Sequence, residues 1–308
     1  MLKIFDSISE FNSDKKTVVT LGTFDGVHLG HKSILSKLKE TTLNGECESL
    51  VLTFFPHPRM ILQQDSDIKL LNTINEKADL LNNFGIDNLV IQKFDNSFSQ
   101  LSPEDFVKEV LVNQFNVKKI VIGYDHRFGK DRAADINDLI AFGEKFGFEV
   151  EQISAQEIDD VSVSSTKIRN AIQSGNISLA NEYLGYPYFL RGTVVKGKQL
   201  GRTIGYPTAN VKVNEPYKLI PAIGVYAVYV LVDDVKYYGM LNIGTNPTIG
   251  ENPLTIEVNI FDFNQDIYEK EIVIGFIDKI RDQQKFNSLE ELKSALAQDK
   301  ITAINLTS

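Results

Sequence analysis

The chain is short of the residues that several chemistries require. Cys47 is the only cysteine among 308 residues, so neither an intrachain disulfide nor a thiolate zinc site can form, which suits a reducing cytoplasm. Histidine is absent beyond His126: His28, His31, His57 and His126 are the full set. Any reaction in the C-terminal part must therefore use carboxylates, hydroxyls, amides or a metal. No apolar run approaches the roughly 20 residues that cross a bilayer. The start, Met1-Leu2-Lys3-Ile4-Phe5-Asp6, lacks the basic-then-apolar signature of a signal peptide. A cytoplasmic protein with no membrane partner is expected. A net charge of −9 argues against a nucleic-acid partner, which would need a broadly basic face, and is read first as solubility. A small cluster of cations and backbone N–H groups can still hold one triphosphate. Internal repeats, low-complexity segments and a Walker loop are missing too.

What is present is an ordinary globular composition, 43% hydrophobic and 24% charged, in a chain long enough for two cores. Apolar, β-branched runs of strand length cover 17–21, 49–54, 88–91 and 119–122. Between them, 32–43, 76–84 and 103–115 repeat apolar residues at three and four. Ser102-Pro103-Glu104-Asp105 reads as a helix start. Such alternation predicts a parallel sheet wrapped by helices, with ligands at the carboxyl ends of the strands. The pattern changes near Gly185-Tyr186-Pro187, and the expected domains are 1–185 and 186–308. Strand-like runs at 225–232, 236–243, 255–261 and 271–276 predict a small antiparallel barrel, with Asp233-Asp234 as a hairpin turn. Ser288, Glu290 and Glu291 announce a closing helix over about 289–296.

Leu21-Gly22-Thr23-Phe24-Asp25-Gly26-Val27-His28-Leu29-Gly30-His31 follows the first strand and opens the first helix. Glycines allow a backbone to approach a ligand closely, and a helix N-terminus favours an anion. His28 and His31, three apart, can face one way and stabilise charge on a phosphoryl group in transfer. The plainer reading is a turn with two capping histidines. The segment resembles the His-x-Gly-His signature of the nucleotidyltransferase superfamily, and its wider context resembles the FMN adenylyltransferase module of bacterial FAD synthetases. The resemblance implies a Rossmann-like domain in which Gly22, Thr23, Phe24, Gly30, His28 and His31 meet ATP. It extends to Phe54, Pro56, His57 and Pro58 and to Asp125 and Arg127, which it sets near the flavin. Ser164, Ser165, Thr166 and Arg169, where hydroxyls and a cation open a later helix, it adds to the ATP site. By themselves those serines are equally an N-cap. His126 stands where the family pattern has phenylalanine, and Asp131 and Ala134 where it has glycine.

The second part carries Gly197-Lys198-Gln199-Leu200-Gly201-Arg202-Thr203-Ile204-Gly205-Tyr206-Pro207-Thr208-Ala209-Asn210. A glycine-rich basic stretch can wrap phosphates, or be a solvated loop. Thr208 and Asn210 offer two neutral oxygens suited to a Mg²⁺ that keeps its waters. Gly-Arg-x-x-Gly-x-Pro-Thr-Ala-Asn resembles the signature of riboflavin kinase, a six-stranded barrel. The resemblance implies that Gly197, Lys198, Gly201, Arg202 and Pro207 serve ATP, and that Thr208 and Asn210 hold its Mg²⁺. It further implies that Glu257 takes the proton of the riboflavin hydroxyl and that Arg281 borders the flavin. Asn259 replaces an expected histidine.

The expectation is a bifunctional α/β plus all-β enzyme that takes riboflavin, FMN and ATP as substrates, uses Mg²⁺, and makes FMN and FAD. Self-association is left open. Rivals are an enzyme with one live site, a flavin-binding protein that lost catalysis, and an adenylyltransferase for another phosphate acceptor.

Overall fold

The computed structural model describes residues 1–62, 67–124, 126–154, 163–197, 201, 204–245 and 254–307. The chain divides into two compact units, Met1–Ser164 and Ser165–Ser308.

In the first unit, six strands form one sheet in the order β1 (Lys3–Phe5), β4 (Asn88–Lys93), β3 (Cys47–Phe55), β2 (Lys16–Leu21), β5 (Val117–Gly123), β6 (Glu149–Ile153). Every adjacent pair is parallel. Alternation along the strands feeds two cores. Val18, Val51, Leu89 and Val121 pack on Leu35 and Leu38 of α1 (Leu29–Thr42) and on Ala78 and Leu81 farther along. Val19, Leu50, Leu52, Ile120 and Ile122 face the other way, onto Val107, Leu111 and Leu139. The remaining helices are α2 (Pro58–Leu62), α3 (Ile74–Phe84), the single turn α4 (Asn96–Ser99), α5 (Pro103–Asp105), and α6 (Ile136–Phe146). From α5 the chain continues in wider π-helical turns over Phe106–Gln114. Ser102 starts α5 as expected, its hydroxyl accepting from Asp105 N at 3.1 Å.

The order of strands matters for function. From β2 the chain proceeds outward through β3 and β4, and later returns to add β5 on the other flank of β2. The crevice at such a reversal, beyond the carboxyl ends of β2 and β5, is where open α/β sheets bind ligands.

The second unit opens with α7 (Ser165–Ser174) and α8 (Ile177–Leu184). A closed antiparallel barrel follows, ordered β10 (Val235–Thr245), β11 (Leu254–Ile260), β8 (Ala209–Lys212), β7 (Phe189–Val195), β12 (Glu271–Arg281), β9 (Gly224–Val232). Asp233 and Asp234 join β9 to β10 with φ of 49° and 64°, the left-handed pair that a two-residue hairpin needs. The last helix, α9, spans Leu289–Thr307, well beyond the expected end at 296. Two buried residues in the extension, Asp299 and Ala303, explain its length: Ala303 packs on Ala227 and Met240, and Asp299 pairs with Arg281.

Candidate active sites

The glycine turn leaves the carboxyl end of β2 and becomes α1, so Gly22, Thr23, Phe24, His28, Gly30 and His31 lie together. His28 is the N-cap residue, and its ring stacks on that of His31 with centroids 3.7 Å apart and planes 17° apart. Phe24 covers His31 at 4.9 Å. His31 Nδ1 is buried with no hydrogen-bond partner among the described residues. Burial, then the nearby His28, then Lys77, hold His31 well below the ordinary imidazole value, so at neutral pH this ring is uncharged. Phe24 and Val27 adopt φ of 45° and 38°, a left-handed backbone rarely taken by such side chains.

Buried polar groups hold that turn. Asp25, 2% exposed, accepts at Oδ1 from Leu71 N at 2.9 Å and Asn72 N at 3.3 Å. Lys77, 4% exposed, donates to the Thr23 carbonyl at 2.7 Å and to Thr53 Oγ1 at 3.2 Å. Desolvation pulls the Lys77 ammonium down to about 8, against the opposing effect of Asp25. Asn72 is buried, and neither its side-chain oxygen nor its nitrogen has a protein partner among the described residues. Such atoms are what a bound water or ligand satisfies.

Two further loops leave the same edge of the sheet. Phe54, Pro56, His57 and Pro58 run from the end of β3 into α2, and Thr53 Oγ1 ties this loop to the turn by donating to Thr23 O at 3.2 Å. His57 is buried and accepts at Nδ1 from Arg59 N at 3.1 Å. Beyond β5, Arg127 is exposed and the ring of His126 stacks on Phe128 at 6.3 Å. Asp125 lies outside the described residues. Asp131 takes φ 54°, a conformation glycine adopts without strain, while Ala134 is buried and bridges Phe128. Ser164 closes the first unit; Ser165, Thr166 and Arg169 lie on α7 in the second. Arg169 is buried, not the exposed helical arginine that a simple cap would leave.

The barrel gathers a different set. Asn210 on β8 sits opposite Glu257 on β11, and Thr208 Oγ1 donates to Glu257 Oε2 at 3.5 Å. All three are half-buried, so none points into a dry core. Gly197 leaves room for Asn210: a Cβ there would come within 2.1 Å of Asn210 Nδ2 and the amide would have to shift. One at Gly201 would meet the Tyr206 carbonyl at 2.2 Å. Asn259 Nδ2 donates to the Pro207 carbonyl at 2.7 Å, so the residue found in place of histidine fixes the loop that carries Thr208. Arg281 is engaged with α9: Nε and Nη2 donate to the two oxygens of Asp299 at 2.8 and 2.7 Å. Lys198 and Arg202 lie outside the described residues.

Two family models divide the chain as the two sites do. The FAD synthetase family model matches residues 10–167, and the riboflavin kinase family model matches 184–307. The chain is 40% identical to the bifunctional riboflavin kinase/FMN adenylyltransferase of Listeria monocytogenes, over 94% of this chain and 91% of that one. Its counterpart in Bacillus subtilis is 38% identical, over 94% and 92%. The chain belongs to the bifunctional riboflavin kinase/FMN adenylyltransferase family. As a member, it phosphorylates riboflavin to FMN and adenylylates FMN to FAD, with ATP as substrate. A crystal structure of a protein from Streptococcus pneumoniae, named a macrolide-efflux protein, shares the fold with a TM-score of 0.90 and 33% identity over 99% of both chains. Among the described residues here, no helix is long and apolar enough to cross a membrane.

Sequence reasoning passed over Lys77 and Asn72 among the groups around the first site and Asp299 at the second. One signal was available: Lys77 falls on the same helix face as Ala78 and Leu81, where a charged residue is out of place.

Proposed function

We propose that the two reactions use separate machinery, FMN adenylylation within 1–185 and riboflavin phosphorylation within 186–308. The observation that carries this is the separation of groups: the imidazole stack belongs to the first unit, and the Thr208–Asn210–Glu257 set to the second.

In the first site the ATP triphosphate lies on the turn of Gly22, Thr23, Phe24 and Gly30, with His28 and His31 donating to its phosphates. The uncharged ring of His31 suits that task, because a ring that starts neutral can take up charge as the polyphosphate arrives. Ser164, the last residue of the first unit, adds a hydroxyl to the phosphate contacts. Phe54, Pro56, His57, Pro58, Asp125 and Arg127 receive FMN, whose phosphate attacks the α-phosphorus of ATP and displaces pyrophosphate.

In the second site Glu257 accepts the proton from the 5′-hydroxyl of riboflavin as that oxygen attacks the γ-phosphorus of ATP and ADP leaves. Gly197, Lys198, Gly201, Arg202 and Pro207 wrap the ATP, and Arg281 borders the flavin. Thr208 Oγ1 and Asn210 Oδ1 are few and neutral, a donor set that fits a magnesium ion keeping its own waters and phosphate oxygens. Bound there, Mg²⁺ would neutralise charge on the polyphosphate. An enzyme that consumes ATP in both reactions works where ATP is supplied, and the lone Cys47 fits a reducing compartment, so we place it in the cytoplasm.

The test is a crossed assay. His31→Ala should abolish FAD formation and leave riboflavin phosphorylation within about twofold, and Glu257→Ala should do the reverse when FMN is supplied. Equal loss of both reactions in either folded variant refutes the division.

A further inference from the structure

A core rarely carries a lysine, because an ammonium loses its hydration on burial and an apolar side chain of similar volume is often no worse for stability. Lys77 is 4% exposed on the core-facing side of α3. Its two acceptors identify what it does. One is the carbonyl of Thr23, in the turn that ends at the histidines; the other is the hydroxyl of Thr53, the residue before the 54–58 loop. Thr53 Oγ1 itself donates to Thr23 O at 3.2 Å, so three groups from three elements close on one another. The helix that bears Lys77 is fixed at its start by a reciprocal cap between Thr73 and Glu76. Immediately before that cap, the N–H groups of Leu71 and Asn72 grip Asp25. The turn that carries these two ties holds Phe24, between them, and Val27, two residues past the second, in left-handed conformations, and such strain persists only where the surroundings over-determine it.

We propose that Lys77 is a positioning residue for FAD formation, its buried ammonium holding the histidine turn in register with the loop that receives the flavin. This rests on the reading that His28 and His31 serve the triphosphate and 54–58 the flavin. Adenylyl transfer needs the FMN phosphate in line with the α-phosphorus of ATP, and the two loops carry one reactant each. A displacement of 1 Å between them is enough to cost on the order of 10²-fold in rate. The titratable groups facing Lys77 are the Asp25 carboxylate and the neutral ring of His31, with His28 stacked behind. Removing its charge therefore has an electrostatic signature at His31 that lost packing would not produce.

The experiment uses the full chain with Lys77→Met, Lys77→Arg, Thr53→Val and His31→Ala. FAD formation from FMN and ATP is measured beside riboflavin phosphorylation, and the titration of His31 is followed by NMR. With four histidines in the chain, assignment by single substitution is direct. Lys77→Met should lower kcat for FAD formation roughly tenfold or more, with KM changed less than about threefold and riboflavin phosphorylation unchanged. Lys77→Arg should recover part of the loss, and the His31 midpoint should rise in Lys77→Met. Wild-type FAD formation in Lys77→Met, or an unmoved His31 midpoint, overturns the proposal. If Lys77→Met does not fold, Thr53→Val decides: a severalfold loss of kcat supports it, and an unchanged kcat overturns it. An active His31→Ala would sink the underlying reading of the histidines. A dead His31→Ala beside a fully active Lys77→Met would sink only the role given to Lys77.

Discussion

Removing the guanidinium of Arg281 should cost the protein more than a typical surface charge does. The side chain of Asp299 is 3% exposed, and that of Arg281 20%. Two parallel bonds of 2.8 and 2.7 Å join them in the bidentate geometry that makes such pairs strong. Arg281→Met leaves the carboxylate in place with its partner gone and little water to replace it. Breaking a buried pair from one side costs about 3–5 kcal/mol. For a transition of this size each kcal/mol moves the midpoint by about 2–4 °C, so a fall of roughly 6–20 °C is expected by calorimetry. The double variant Arg281→Met/Asp299→Leu should recover most of it, because no lone charge then remains. A single variant that costs less than about 1 kcal/mol would refute the reasoning and class the pair with exposed ones. Riboflavin KM in the same proteins separates two roles for Arg281. If KM stays raised when stability returns, the side chain touches flavin; if KM returns as well, the effect runs through α9.

Gly197→Ala places a methyl group 2.1 Å from Asn210 Nδ2, forcing that side chain aside. Riboflavin phosphorylation should fall tenfold or more, as roughly expected for a misplaced ligand, with FAD formation from FMN retained; an active kinase would remove Asn210 from the metal's set. A second outcome concerns pH. Lys77 is pulled from 10.5 unfolded to about 8 folded. Below pH 8 both states are protonated and the burial cost is carried in full. Between the two values only the unfolded chain holds the proton, so stability should climb with pH, by roughly 3 kcal/mol across the window. Urea unfolding of wild type and Lys77→Met over that range isolates the effect, and parallel curves would contradict it.

Much of this architecture was legible because its signals are local. The runs at 17–21, 49–54, 88–91 and 119–122 became β2 to β5 without β1, since all four interior strands are nearly continuous apolar segments. The sheet's edges were missed for the converse reason: β1 has three residues, and β6 reads Glu149-Val150-Glu151-Gln152-Ile153, too polar to stand out. The end of α9 was placed early because its later turns present a mixed face, and what buries Asp299 is an arginine 18 residues away. The replacements at Asp131 and Asn259 could be seen in the sequence, but what each does could not. One holds a left-handed turn and the other bonds the Pro207 carbonyl.

The sequence by itself determined the two classes of chemistry, since confining histidine to the first 126 residues leaves a carboxylate as the natural base in the remainder. It determined the order of strand, glycine turn and helix, and that Pro-Thr-Ala-Asn precedes Glu257, because order along the chain is fixed by the sequence. Tertiary structure alone decided which groups meet. Only pairing of β8 with β11 brings Asn210 opposite Glu257 across 47 positions of sequence, and only the packing of α3 carries Lys77 to Thr23 and Thr53. Hydrogen bonds reach about 3 Å, so contacts between distant segments have no local signature, and burial, which sets the charge of His31 and Lys77, belongs to the folded chain as a whole.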